Sequence, residues 1–259
     1  MAAVADDRAA RVVVEQADSA TGQAKVTVTN GGASSLYTVD LDTAIRGSDE
    51  FASAQLGSQW QWLREDAMRW RLSGGSLVIG SQSGDLQGPA NTAKNVALQA
   101  VNGDWTADSK VVFSRPLANN NEQGGIIAYA GDDDYVKLAW EMANANAPLN
   151  KLRVVVIREQ SGAATSFEVT GADAQRIIGA DGAIWFRLAK TDDAYKAYYS
   201  TNGSVYRFMG STTLEAEPTR AGLVAFNRGG TATDLGVAFD YFRIESRGDP
   251  VPARPGLMR

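Results

Sequence analysis

Gln123-Gly124-Gly125-Ile126-Ile127-Ala128-Tyr129-Ala130, then Gly131-Asp132-Asp133-Asp134, then Tyr135-Val136-Lys137-Leu138-Ala139-Trp140-Glu141: this stretch decides the fold. Two strand-like runs flank a turn of Gly and Asp, residues that tight turns accept. Successive side chains of an extended chain point to opposite faces. Gln123, Gly125, Ile127 and Tyr129 therefore share a face of the first run, and Tyr135, Lys137, Ala139 and Glu141 a face of the second. Val136, Leu138 and Trp140 fall opposite. The three Asp side chains of the turn suit either solvent or a hard cation.

The same grammar recurs on both sides. Trp105-Thr106-Ala107-Asp108-Ser109-Lys110-Val111-Val112-Phe113 alternates, with Thr106, Asp108 and Lys110 on one face. Lys151 to Arg158, Thr165 to Val169, Ile184 to Lys190, Ala221 to Phe226 and Leu235 to Ile244 read as further strands. Ala194 to Ser200 and Ser204 to Phe208 are joined by Thr201-Asn202-Gly203, a strong hairpin signal. Residues 172–178 could form a turn or two of helix; no helix of ten or more residues is expected. The reading is an all-β chain of roughly fifteen short strands in antiparallel sheets, hence a sandwich. Before it, Arg11 to Gln16, Ala24 to Thr29 and Leu36 to Leu41 form a short β lead-in, with a boundary near residue 47. The expected division is 1–47 for the lead-in, 48–246 for the sandwich and 247–259 for an extended tail.

The chain of 259 residues contains no Cys and no His. Thiolate and imidazole zinc sites are excluded, as are Ser-His-Asp and Cys-His nucleophiles. Acid–base chemistry would fall to Asp, Glu, Lys or Tyr. A formal net charge of −5 argues against a nucleic-acid partner, which wants a clustered basic face. No apolar run approaches roughly 18 residues, so no membrane-spanning helix is expected. The Ala-rich, charged first ten residues lack the apolar core of a signal peptide, and the expectation is a piece of a longer, extracellular protein.

Three of the six Trp residues, Trp60, Trp62 and Trp70, lie within eleven positions, interleaved with Gln61, Arg64, Arg69 and Arg71. Rings beside planar hydrogen-bonding groups suit a sugar; the same rings would equally serve a core. On this reading Gln123, Tyr129, Lys137 and Glu141 line a concave groove that Trp62, Arg64, Asn91 and Asn95 complete, the alternative being a merely solvated sheet face. Asp132 and Asp134 have the spacing of a glycosidase carboxylate pair but sit in a turn.

Trp60-Gln61-Trp62 with Arg64, the loop Gly84-Asp85-Leu86-Gln87-Gly88, Asn91-Thr92-Ala93-Lys94-Asn95, the Gly124–Leu138 hairpin, Tyr199 to Tyr206, and Phe239-Asp240-Tyr241-Phe242 follow one another in order. Together they resemble the C-terminal concanavalin A-like β-sandwich of family 43 glycoside hydrolases, the β-xylosidases and arabinofuranosidases, over roughly residues 48–246. The resemblance implies a jelly-roll sandwich beside a five-bladed propeller that carries the catalytic carboxylates. It implies a polysaccharide or oligosaccharide partner, xylan or arabinoxylan in kind, and a catalytic hydrolase domain as neighbour. Relatives usually carry Asp and Trp where this chain has Asn202 and Tyr206. Nothing in these residues matches the propeller, so the resemblance supports binding rather than hydrolysis. A stand-alone sandwich glycosidase or lyase, and a module that only braces a catalytic neighbour, are the alternatives. Related sandwiches often hold a structural calcium where their terminal strands meet. Asp240, in an apolar strand, needs a partner, and Asp49 or Glu50 could complete such a site; pairing of Asp240 with an Arg or a backbone amide is the other reading.

Overall fold

The computed structural model describes residues 5, 7, 9–16, 22–41, 47–144, 151–170, 182–228 and 234–246. It divides into two compact units, Met1–Arg46 and Gly47–Arg259. The first is a three-stranded antiparallel sheet of β1 (Arg11–Glu15), β2 (Gly22–Asn30) and β3 (Ala33–Leu41). Gly31 and Gly32 turn β2 into β3 with φ of 58° and 86°, a backbone whose twist matches the strands it joins.

The second unit holds two seven-stranded sheets whose neighbouring strands are antiparallel, as the run of hairpins predicts. One sheet runs, edge to edge, through β12 (Ala163–Thr170), β11 (Lys151–Gln160), β10 (Asp134–Asn144), β9 (Gln123–Gly131), β16 (Arg220–Phe226), β7 (Val96–Ala100) and β4 (Gln61–Leu63). The other runs through β15 (Arg207–Thr213), β14 (Ala194–Ser200), β13 (Ala183–Thr191), β8 (Trp105–Phe113), β17 (Gly236–Ser246), β6 (Ser76–Gly80) and β5 (Trp70–Ser73). Among the described residues there is no α-helix and none long and apolar enough to cross a membrane. Residues 172–178 lie outside the described residues.

Between the sheets, Ile126, Ala128, Val136, Leu138 and Trp140 meet Trp105, Val111, Phe113, Phe186 and Leu188 in one buried cluster. The alternation of β8 is realised strictly: its odd residues are buried and its even residues half-exposed. Strand β9 behaves differently, with every residue from Gln123 to Tyr129 buried. Burial on both faces means a second layer covers the outside of this sheet. That layer includes residues 84–95, whose Leu86 and Ala93 are fully buried against Ile127, Tyr135, Val155, Ile157, Val224 and Phe226. Gly222 is required where β16 passes β7, because a Cβ there would run into the Ala97 carbonyl.

The Asn202-Gly203 turn departs from expectation. β14 ends at Ser200 and β15 begins only at Arg207, so residues 201–206 form a six-residue loop instead of the three-residue link Thr201-Asn202-Gly203. The Asn202 side chain explains this: its Oδ1 accepts from the amides of Ser204 and Val205, both at 3.0 Å. An Asn that folds the chain back on itself competes with the hairpin ladder.

Candidate functional site

Of the eight residues read as a sugar groove, six fall into two networks, while Asn95 and Trp62 have partners elsewhere. Gln123, Lys137 and Glu141 share the outer face of β9 and β10, as alternation requires, but all three are buried. Lys137 Nζ donates to Gln123 Oε1 at 2.5 Å and lies 4.8 Å from the centre of the Phe226 ring. Burial pushes its ammonium group down, against the upward pull of Glu141 and Asp85. Glu141 accepts from Arg153 at 3.0 and 3.2 Å, and Arg153 also pairs with Glu168.

The second network is a clasp. Arg64 grips Asp132 with two hydrogen bonds of 2.8 and 3.0 Å and donates to the Ala93 carbonyl at 2.6 Å. Tyr129 donates to the same carboxylate at 2.7 Å, and Asn91 donates to Asp133 at 2.9 Å. Burial works to raise the Asp132 carboxyl, yet the bonds from Arg64 and Tyr129 outweigh it and hold the group below its usual value. Asn95 is fully buried, bonded to Asp66 and Gln82. Trp62 is half-buried and stacks on Trp70 with centroids 4.8 Å apart. The expectation of an open groove here is therefore corrected: residues 84–95 lie on this face, pinned by the clasp. The reason is physical, since Ile127, Val155, Ile157, Val224 and Phe226 make this face too apolar to leave in water.

The proposed calcium ligands do not gather into one donor set. Asp49 accepts from Trp60 Nε1 at 2.9 Å and from the Phe51 amide at 2.8 Å. Glu50 pairs with Arg243, and Asp240 with Lys110 at 2.8 Å and Ser76 at 2.9 Å. Asp240 thus pairs with a lysine and a serine, where the sequence suggested calcium, or else an Arg or a backbone amide. Among the described residues no cluster of three or more carboxylates is poised for a metal.

The outer face of the other sheet carries the open site. Register aligns Arg243 of β17, Asp108 of β8, Arg187 of β13, Tyr198 of β14 and Phe208 of β15 in a row across the strands. A neighbouring row aligns Glu245, Thr106 and Ala189. The small Ala189 and Thr106 leave a hollow of about 530 Å³ lined also by Asp108, Arg187, Tyr198, Tyr206 and Glu245. Arg187 forms two bonds to Asp108, at 2.7 and 3.0 Å, and its guanidinium stacks 4.1 Å over the Tyr206 ring. Tyr206 is delivered by the Asn202 loop, which packs so closely that a Cβ on Gly203 would lie 2.8 Å from Trp185 Nε1. Burial and the nearby Asp108 push the Tyr206 phenol up, and it is hydrogen-bonded with Tyr241. The alternation of Thr106, Asp108 and Lys110 signals this face; that it pairs with Arg187 and Tyr198 needs the strand order.

Two packed seven-stranded antiparallel sheets make an antiparallel β-sandwich, of the concanavalin A-like kind. The family model described as the β-xylosidase C-terminal concanavalin A-like domain matches residues 48–245, and the chain belongs to that family. Among solved structures, the family 43 protein BlXynB of Bacillus licheniformis is similar at 19% identity and a TM-score of 0.64, over 92% of this chain and 53% of that one. A xylan β-1,4-xylosidase of Bacillus halodurans is similar at 13% identity and a TM-score of 0.61, over 91% and 53%. A protein of unknown function from Saccharomyces cerevisiae is similar at 15% identity and a TM-score of 0.57, over 74% and 98%. At these identities the likeness concerns the fold, and this chain spans about half the length of the two bacterial proteins. A search of curated protein sequences returned no match.

Proposed function

We propose that this chain is a non-catalytic carbohydrate-binding module, accessory to a family 43 glycoside hydrolase. Its ligand is a plant polysaccharide of the xylan or arabinoxylan kind, met outside the cell. The observation that carries this reading is the open hollow on the outer face of β8, β13 and β14, where Tyr198 and Tyr206 stand beside Arg187 and Asp108. Rings cover the C–H faces of a sugar while guanidinium and carboxylate groups meet its hydroxyls. Family membership supports the hydrolase setting, and similarity to the Bacillus halodurans xylan β-1,4-xylosidase supports xylan.

Affinity electrophoresis of the whole chain in gels containing arabinoxylan tests the proposal. Retardation is expected, with Tyr198→Ala and Tyr206→Ala each weakening it while the far-ultraviolet spectrum stays unchanged. Free migration on every plant polysaccharide tried would overturn the reading, and release of reducing sugar would replace it with an enzyme.

A further inference from the structure

We infer that the hollow between β14 and β17 takes a mid-chain stretch of an uncharged polysaccharide, not a chain end and not a uronic-acid-bearing segment. This rests on the glycan-binding reading above and adds direction and charge to it.

Direction follows from strand order. The row Arg243, Asp108, Arg187, Tyr198, Phe208 crosses five strands, β17 to β15. Four inter-strand steps span roughly 19 Å. Phe208, at the far end, is 59% exposed and packs beside Tyr198 with centroids 5.3 Å apart. Arg243 and Glu245, at the near end, are exposed. The far end leads into solvent, and the near end is flanked by Glu50, itself exposed, which Arg243 holds. The floor at Ala189 and Thr106 is a trough between side chains, and a polymer lying across the strands can enter and leave it.

Charge follows from pairing. Three cations on this face, Arg187, Lys110 and Arg243, each have a carboxylate of their own, and a fourth, Lys196, stands in the Ala189 row outside the hollow. Arg187 is held by Asp108, Lys110 by Asp240 at 2.8 Å, and Arg243 by Glu50 at 2.6 and 2.9 Å. The hollow is lined by one guanidinium against two carboxylates, because Glu245 forms no ion pair among the described residues. Lys196 is exposed on β14 beside Ala189 and does not line the hollow. A uronate carboxylate entering here would meet Glu245 and would have to compete with Asp108 for Arg187. Neutral hydroxyls meet no such opposition, and paired ions present both donors and acceptors to them.

Isothermal titration of the whole chain with linear xylo-oligosaccharides of increasing length decides the matter. Affinity should climb with length and level off at about four units, the reach of the roughly 19 Å row. Oligosaccharides reduced to the alditol at their end should bind within about twofold of the parent, and glucuronic-acid-substituted ones about threefold or more weaker at low salt, the gap narrowing as salt screens Glu245. Glu245→Lys should reverse that preference. Loss of binding on end reduction, or tighter binding of the acidic series by the unmodified chain, would overturn the inference and leave glycan binding standing. Binding of neither series would overturn both.

Discussion

Replacing Glu122 should separate the part of the sandwich held by one buried carboxylate from the rest. Glu122 is fully buried at the mouth of β9. Its two oxygens accept from Arg115 at 2.6 and 3.0 Å, from the amides of Ala118 and Asn119 at 2.8 and 3.1 Å, and from the Asn119 side chain at 2.8 Å. Burial alone would raise its carboxyl. The bonds from Arg115, Asn119 and the two amides overcome this and bring it from 4.5 down to about 2. A carboxyl depressed on folding lets the unfolded chain bind more protons, so its stabilisation is complete above pH 4.5 and disappears as the pH falls towards 2. At about 1.4 kcal/mol per pH unit, a depression of roughly 2.5 units corresponds to about 3.5 kcal/mol. Deleting one partner of a buried ion pair costs about 3–5 kcal/mol, which agrees. Urea unfolding of wild type and Glu122→Gln at pH 7, 4 and 2.5 is the assay. With a slope of about 2–3 kcal/mol per molar urea, the variant's midpoint at pH 7 should fall by about 1–2 M. The two proteins should converge as the pH approaches 2. Equal midpoints at pH 7, or a difference that stays constant in acid, would refute the reasoning.

Three further outcomes are expected. Lys137→Met should unfold at the same or a higher urea concentration, because an ammonium group buried with one amide partner is costly. Its burial holds the ammonium pKa below 10.5, so wild type should become more stable relative to the variant between neutral pH and pH 10; a fixed difference would argue against a buried charge. Asp132→Asn should cost about 1–3 kcal/mol and speed amide hydrogen exchange in residues 84–95, since it strips Arg64 and Tyr129 of their shared partner. Calcium or a chelator should leave the melting temperature unmoved, as Asp49, Glu50 and Asp240 each hold a protein partner; a calcium-dependent rise of several degrees would show that these pairings give way to metal.

Local sequence dictated the strands because period-two alternation is a local property. Ala107, Ser109 and Val111 had to face away from Thr106, Asp108 and Lys110 whatever the rest of the chain did. The Gln123–Glu141 hairpin was legible for the same reason, and so was the common face of Gln123, Lys137 and Glu141. Which faces stay open was not legible. Arg64 and Asp132 are 68 residues apart, and their meeting, with the burial of Leu86 and Ala93, holds residues 84–95 on the sheet. The aromatic stretch misled in part because Trp60 is core while Trp62 and Trp70 stack on each other. Asn202 misled because its side chain, free to bond its own backbone, outbids the turn its neighbour Gly203 would favour.

The two outer faces carry similar ions and rings, and what separates their roles is how much water each retains. On the β9–β10 face Lys137, Glu141 and Gln123 are withdrawn from solvent, so each depends on fixed protein partners, and displacing any of them would strand a charge. Such a network has nothing to exchange with a ligand. On the β8–β13 face the Arg187–Asp108 pair is still 38% and 21% exposed, and Tyr198 and Tyr206 are only half-covered. Groups in that condition can trade water for sugar hydroxyls without breaking the pair, and covering the remaining ring surface adds about 25 cal/mol for each Å² removed from water. Incomplete burial, and not the number of polar side chains, is therefore the property that marks the β8–β13 face as the one able to hold a glycan.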